Sequence, residues 1–331
     1  MNAQRSPIRS KLGRQCDASV SGRGADCHIQ GVRFGRINWG LGDLESHNWG
    51  LVVEHLPGNF RVLGTFELLD AEGRTITPRS AKLRSILAML CFNANRVVST
   101  EQLSKGLWED SPPRTSTTAL QVYISKLRKQ FLDCGIGSDV LRTKSPGYLL
   151  DLSRQVLDLD LFDALVERSQ RAEREGRLED AAQLLGEALA LWRGPTLANL
   201  PPVPLLTSIA RQIDERRIVA CERRFDLEIA LGRHTALVRE LYGLADTYPL
   251  WENLYFSLML ALYRSGRTVE SLNVYNAFRK SLLEALGMEP GGQLQSLQVA
   301  ILNRDDWLDD PGAPLTRGRA SLRLTTSFAG R

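Results

Sequence analysis

From Phe60 onward the apolar positions of the chain switch between a period of two and a helical period. "FRVLGTFELLDAEGRTITP" alternates apolar and polar residues and breaks at Glu72-Gly73, the pattern of a small antiparallel sheet. "RSAKLRSILAMLCFNAN" then places Leu83, Ile86, Leu87 and Leu90 at helical spacing. "STEQLSKGLWED" opens on Ser99 or Thr100 as N-cap and carries Leu103, Leu107 and Trp108 as its apolar positions. Pro112-Pro113 bars a continuous helix, and a third helix is predicted from Thr115. Two short strands joined by "KSPGY" follow it. The predicted order is therefore strands, three helices and a hairpin.

From Asp151 to Asp306 the pattern is helical throughout, with a repeat inside it. Gly-Arg recurs at Gly176-Arg177, Gly232-Arg233 and Gly266-Arg267, and the last two lie one tetratricopeptide period apart. Ala181 and Ala188 fall where small residues let repeat helices approach, and Pro249 falls where a second helix would end. Ser271 and Phe278 replace the usual small residues in the third copy, so unrelated helical hairpins are the alternative. Trp192, Tyr242, Trp251, Tyr255 and Tyr263 stand at repeat spacing and are expected in the core rather than in a pocket.

The helix from Thr115 to Leu132 has two unlike faces. At ~100° per residue, Leu120, Tyr123, Ile124, Leu127 and Phe131 share one apolar arc. Thr118, Val122, Ser125 and Lys129 lie opposite, flanked by Gln121, Lys126 and Arg128. Such a slender, polar, basic face suits a major groove ~12 Å wide: Gln121 can pair with adenine, Lys129 can reach guanine or phosphate, and Val122 and the Thr118 methyl can pack on thymine. Taken alone, the face is equally a solvated helix surface. The neighbouring hairpin shifts the balance, because Arg142, Lys144 and Tyr148 flank its turn as a basic wing. Backbone N–H groups at Ser99 and Thr100, opening the second helix, are a further candidate phosphate contact.

Charge sharpens the division. Pro78 to Leu150 holds 11 Lys and Arg against 5 Asp and Glu, a local +6, whereas Asp151 to Asp306 holds 18 against 23, a local −5. A basic module followed by an acidic one implies a polyanion for the first and protein for the second. The five cysteines are scattered without CxxC spacing, which fits a reducing cytoplasm and no disulfide framework. Cys16, Cys27 and His28 are the nearest approach to a metal cluster and lack a second ligand pair, so neither metal nor cofactor is expected. No GxSxG, HExxH or phosphate loop is present, and the four histidines (His28, His47, His55, His234) are few for acid–base chemistry, so an enzyme is not expected. No apolar run approaches the ~18 residues of a membrane span, and no apolar stretch follows the basic N-terminus as in a secretory signal.

"SILAMLCFNANRVVSTEQLSKGLWED", "TALQVYISKLRKQF" and "LRTKSPGYLL" together resemble an OmpR-type winged helix. "LDLFDALVERSQRAEREGRLEDAAQLLGEALALWRGPTLANL" and "MLALYRSGRTVESLNVYNAFRKSLLEALGMEP" resemble the bacterial transcriptional activation domain. The pairing is that of the Streptomyces antibiotic regulatory protein family, over roughly Phe60 to Asp305. The resemblance implies a mainly α fold with a small β component, an N-terminal winged helix-turn-helix followed by an all-α tetratricopeptide-like helical array. It divides the chain into a poorly ordered extension (1–55), a winged helix (56–152), the activation domain (156–306) and a disordered tail (307–331). It also implies an activator of a secondary-metabolite gene cluster, in the cytoplasm on the nucleoid, whose two protomers bind direct repeats of promoter DNA near the −35 element and recruit RNA polymerase holoenzyme. The recognition role falls on Thr118, Gln121, Val122, Ser125 and Lys129, phosphate contacts on Arg114, Lys126 and Arg128, and the wing on Arg142, Lys144 and Tyr148. The long N-terminal extension departs from the family pattern and is expected to be unstructured or to arise from an upstream start, with an arm that touches DNA as the alternative. Neither a receiver domain nor a nucleotide-binding domain is recognisable, the pattern of the small two-domain form. Two rival readings remain: a regulator whose helical array senses a peptide or metabolite, and a scaffold that never touches nucleic acid.

Overall fold

A computed structural model describes residues 59–109 and 111–310, together with the antiparallel strand pair His28–Ile29 and Val32–Arg33. Strands β1 (Asn59–Arg61) and β2 (Glu67–Leu69) pair antiparallel, with Phe60 opposite Leu68. Helix α1 (Ala81–Cys91) leads through β3 (Val97–Ser99) into α2 (Thr100–Trp108), and α3 (Ser116–Asp133) follows the double-proline turn. The hairpin of β4 (Leu141–Lys144) and β5 (Gly147–Leu150) returns to β3, so that β5 is the middle strand of the order β3-β5-β4. Leu120, Ile124, Leu127 and Phe131 of α3 are at most 1% exposed. Each such side chain contributes ~1.5–3 kcal/mol by leaving water, which fixes which way the helix faces. Phe131 meets Phe60 edge-on, with ring centroids 6.2 Å apart.

A two-residue strand, β6 (Val156–Leu157), runs parallel to β1 and launches the helical array. The array comprises α4 (Asp158–Arg174), α5 (Leu178–Ala190), α6 (Pro204–Ala230), α7 (His234–Thr247), α8 (Glu252–Arg264), α9 (Thr268–Leu286) and α10 (Gly292–Asn303). The three Gly-Arg pairs end α4, α6 and α8 in the same way. Gly176, Gly232 and Gly266 have φ of 76°, 74° and 75°. The amides of Arg177, Arg233 and Arg267 each reach back 2.9 Å to the carbonyls of Ala172, Glu228 and Leu262. A left-handed residue followed by this back-bond is the glycine stop of a helix, repeated three times. Ser271, which breaks the small-residue pattern, is fully buried and donates its hydroxyl to the Met259 carbonyl at 2.8 Å. Phe278 is also buried, stacked on Tyr255 at 4.2 Å. Trp192 is buried, and Trp251, Tyr255 and Tyr263 pack partly buried against the core, but Tyr242 is 36% exposed, contrary to its expected core position.

The hydrophobic interior does not divide where the sequence pattern changes. One core runs from the winged helix through α4, α5 and much of α6, and includes Phe60, Ile124, Phe162, Ala181 and Trp192. A second begins within α6 at Phe225 and Ile229 and holds α7 to α10. The junction between winged helix and array is a dense polar clamp. The buried Asp158 carboxylate accepts from the amides of Val62 (2.8 Å) and Leu63 (3.0 Å). Arg193 pairs with both Asp158 (3.4 Å) and Glu67 (2.6 Å). Asn199 accepts from the Phe66 amide at 2.8 Å and donates to the Phe66 carbonyl at 3.2 Å. Burial pushes the Asp158 carboxyl above its ordinary value, while the two amides and Arg193 pull the other way.

The expectations for residues 1–55 lie outside the described residues, apart from the short strand pair, and so do those for residues 311–331. Residues 307–310, expected in a disordered tail, are ordered. Trp307 packs against the second core, Leu308 is fully buried, and Arg264 donates to the carbonyls of Leu308 (2.7 Å) and Asp310 (2.8 Å). Among the described residues no helix is long and apolar enough to cross a membrane, and no group of three or more His, Cys, Asp or Glu is placed to hold a metal ion. Cys16, Cys27 and His28 fall outside the residues whose side chains are described. Replacing Asp158 with Ala leaves two buried amides unpaired, at ~1–3 kcal/mol each. A thermal melt followed by circular dichroism should show the midpoint falling by about 5–15 °C.

Candidate nucleic-acid interface

Helix α3 divides as its periodicity predicts. With the apolar stripe in the core, Thr118, Gln121, Val122, Ser125, Lys126 and Lys129 are all exposed, and Val122 is 47% exposed although apolar. An exposed valine amid polar neighbours suits contact with a thymine methyl. Arg114, in the turn before α3, is exposed as well. α3 is ~27 Å long at 1.5 Å per residue, enough to present these side chains along a groove.

The wing is fastened to α3 by an arginine. Arg128 donates from Nε to the Leu141 carbonyl at 2.7 Å and from Nη2 to the Thr143 hydroxyl at 2.8 Å. It is half-buried, and its planar fork spans helix and hairpin at two points. Arg128, expected at a phosphate, thus has two of its donors engaged by the hairpin. Arg142 is tied down in a similar way, to the Asp139 carbonyl at 2.9 Å and the Asp151 carboxylate at 2.9 Å. Burial pushes Asp151 up, but hydrogen bonds from Ser153 and the charges of Arg142 and Arg154 hold it below the usual carboxylate range. Lys144 stands exposed at the tip of the hairpin, beside the Ser145-Pro146 turn.

Two expectations need correction. Tyr148 is 7% exposed and belongs to the core, because alternation along β5 turns it inward with Leu150 while Leu149 between them is more exposed. Its ring is unavailable to DNA. The start of α2 is also largely satisfied within the protein. The Ser99 hydroxyl accepts from the Gln102 amide at 3.0 Å, and the Gln102 side chain returns a bond to the Ser99 amide at 2.9 Å. The Thr100 amide and hydroxyl both donate to the Pro146 carbonyl, each at 3.2 Å. These groups form a capping box and a seat for the wing, not an open phosphate cradle.

The pattern reading missed the residues that hold the interface in shape. Gly147 lies opposite Ser99, and a Cβ there would stand 1.9 Å from the Val98 carbonyl oxygen. Only glycine lets β5 come this close to β3. Thr143 completes the Arg128 tie. The sequence signal for Gly147 was a glycine within a strand pattern, which marks close backbone approach. No local signal points to Arg128 as an internal tie, since its partners come from the next element.

The interface brings together Arg114, Thr118, Gln121, Val122, Ser125, Lys126, Lys129 and, from the wing, Lys144. It sets Tyr148, Ser99 and Thr100 aside. Its chemistry is polar and cationic with one apolar contact, fitted to base edges and phosphates.

The family model described as "Transcriptional regulatory protein, C terminal" matches residues 74–150, and "Bacterial transcriptional activator domain" matches residues 157–302. The regulatory protein DnrI of Streptomyces peucetius is 36% identical over 76% of this chain and 94% of its own. Transcriptional regulatory protein MoaR1 of Mycobacterium tuberculosis is 34% identical over 84% and 90%. The structure of Mycobacterium tuberculosis EmbR, in complex with a low-affinity phosphopeptide, superposes with a TM-score of 0.69 at 32% identity, covering 75% of this chain and 66% of that one. A winged helix with an exposed cationic face, followed by the activator domain, places this chain in the Streptomyces antibiotic regulatory protein family of transcriptional regulators.

Proposed function

We propose that the chain is a sequence-specific activator of a secondary-metabolite, antibiotic-type gene cluster. It works in the cytoplasm on the nucleoid, with two protomers on direct repeats near a −35 element, and recruits RNA polymerase holoenzyme. One observation carries this reading most strongly: the exposed face of α3 is locked by Arg128 beside a wing that ends in a free-standing lysine. Gln121, Val122 and Lys129 are the base readers, with Thr118 and Ser125 beside them. Arg114, Lys126 and Lys144 hold the phosphates. One small winged helix reads few bases, and each wrong pair costs only ~1–3 kcal/mol, so a second protomer supplies the missing discrimination. The acidic array presents the protein-binding surface. Residues 56–152 serve DNA binding and residues 156–306 serve activation.

A second reading, in which the array takes up a peptide, draws on the EmbR complex with its phosphopeptide. A phosphopeptide titrated into the purified protein, read by DNA affinity, separates the two: unchanged affinity leaves recruitment alone, and a shift favours sensing.

The primary test is a footprint on the promoters beside the gene, at moderate salt with excess random DNA. Protection of two direct repeats by a −35 element is expected; only salt-sensitive, sequence-independent binding would sink the activator reading. Gln121→Ala should cost ~1–3 kcal/mol on the specific site and little on random duplex. Lys144→Ala should weaken both alike and flatten the log–log salt dependence by about one unit. Arg128→Ala should lower specific affinity while the melting midpoint shifts by only a few degrees, because it loosens the wing without opening the core. Fluorescence anisotropy at several salt concentrations reads all three variants.

A further inference from the structure

We infer that the clamp formed by Asp158, Arg193 and Asn199 on the β1–β2 turn sets the spacing between DNA repeats that two protomers accept. The inference rests on the proposed pairing of protomers on direct repeats, and it gives that pairing its ruler.

Winged helices joined to a second domain by a loose tether can turn independently of it. Here the turn that links β1 and β2 has given its backbone bonds to the array. The amides of Val62 and Leu63 go to Asp158, and the Phe66 amide and carbonyl go to Asn199. The Leu63 carbonyl accepts from the Arg193 amide at 3.0 Å, and the carbonyls of Val62 and Gly64 accept from the amides of Leu197 (3.4 Å) and Ala198 (3.3 Å). The Thr65 carbonyl accepts from the Arg193 guanidinium at 3.3 Å. A Cβ on Gly64 would lie 3.0 Å from the Cβ of Arg193, so the two backbones are in direct contact. The clamp loop is itself braced from behind. Thr196 bonds Asp214 of α6 at 2.7 Å, Trp192 packs edge-on against Phe162 at 5.7 Å, and the Arg217 guanidinium lies 5.1 Å from the Trp192 ring. β6 extends the same sheet, and one apolar core continues beneath it.

The consequence is geometric. With α3 fixed to the array, the angle between two recognition helices follows from how the arrays meet. One inserted base pair moves the second site by ~3.4 Å and turns it by ~34°. A rigid pair must absorb that by twisting DNA or by breaking protomer contacts, whereas a pair with loosened clamps absorbs it by swivelling. Asp158, Arg193 and Asn199 are thus positioning residues: they touch no DNA and act through the placement of α3.

The test uses the full chain and duplexes carrying the two footprinted repeats at native spacing, with one or two base pairs inserted, plus a duplex carrying one repeat. Wild-type protein should prefer native spacing over either insertion by about tenfold or more. Arg193→Ala combined with Asn199→Ala should shrink that preference to about threefold or less while single-repeat affinity stays within about twofold. A general loss of stability lowers binding to every duplex together and leaves the ratio unchanged, so the ratio isolates positioning. Where the double variant does not fold, Asn199→Ala alone reads the same ratio, because it removes only the Phe66 bonds. A preserved preference in the folded variants overturns the inference, and so does a wild-type protein indifferent to spacing. Failure of the wild type to bind any repeat specifically would instead overturn the activator reading on which the inference stands.

Discussion

A single carboxylate organises the junction between the winged helix and the helical array. Asp158 is the first residue of α4 and sits where β6 ends, so its side chain meets the β1–β2 turn from the end of the strand next to β1. Two amides that a turn would otherwise leave to water are closed inside the protein by its oxygens. A buried charge is tolerated only with such partners, and Arg193 supplies the balancing cation. Removing Arg193 would leave the buried carboxylate with only its two amides, whereas Arg193 without Asp158 still pairs with Glu67.

Arginine and lysine divide the work across this molecule. Arg128, Arg142, Arg193 and Arg264 use their planar forks internally, binding backbone carbonyls, carboxylates or, for Arg128, also the Thr143 hydroxyl. The cations that remain exposed on the interface are mostly lysines, Lys126, Lys129 and Lys144, with Arg114 beside them. The difference follows from chemistry: a guanidinium loses little freedom on making two bonds at once, while an ammonium stays well hydrated until it meets a phosphate. Counting basic residues along a segment therefore overstates the charge available to DNA. The local +6 of the winged helix includes Arg128 and Arg142, which are spent in part on holding the wing.

The same economy appears in the loop that carries "ALALWRGP". As a string it serves to mark the family. In the fold its Arg193 and the following Leu197, Ala198 and Asn199 grip the winged helix, and its Trp192 anchors the grip in the core. Its sequence character comes from a contact with residues more than a hundred positions away.

Local pattern determined much of this protein. The apolar stripe Leu120, Ile124, Leu127 and Phe131 fixed the outward face of α3, because burial dominates the orientation of a helix. The Gly-Arg pairs located three helix ends, because a left-handed stop is a local demand on the backbone. Tertiary structure decided the rest. Tyr148 turned inward with the alternation of a strand whose register is set by a partner strand. Ser99 and Thr100 were taken up by a capping box and by the Pro146 carbonyl, and Arg128 by a hairpin still to come in the chain. The junction that joins the two modules was invisible to periodicity, since composition changes near residue 152 while the apolar core runs on into α6. Period and composition report on neighbours along the chain; hydrogen bonds and packing across it are set only when the distant segments meet.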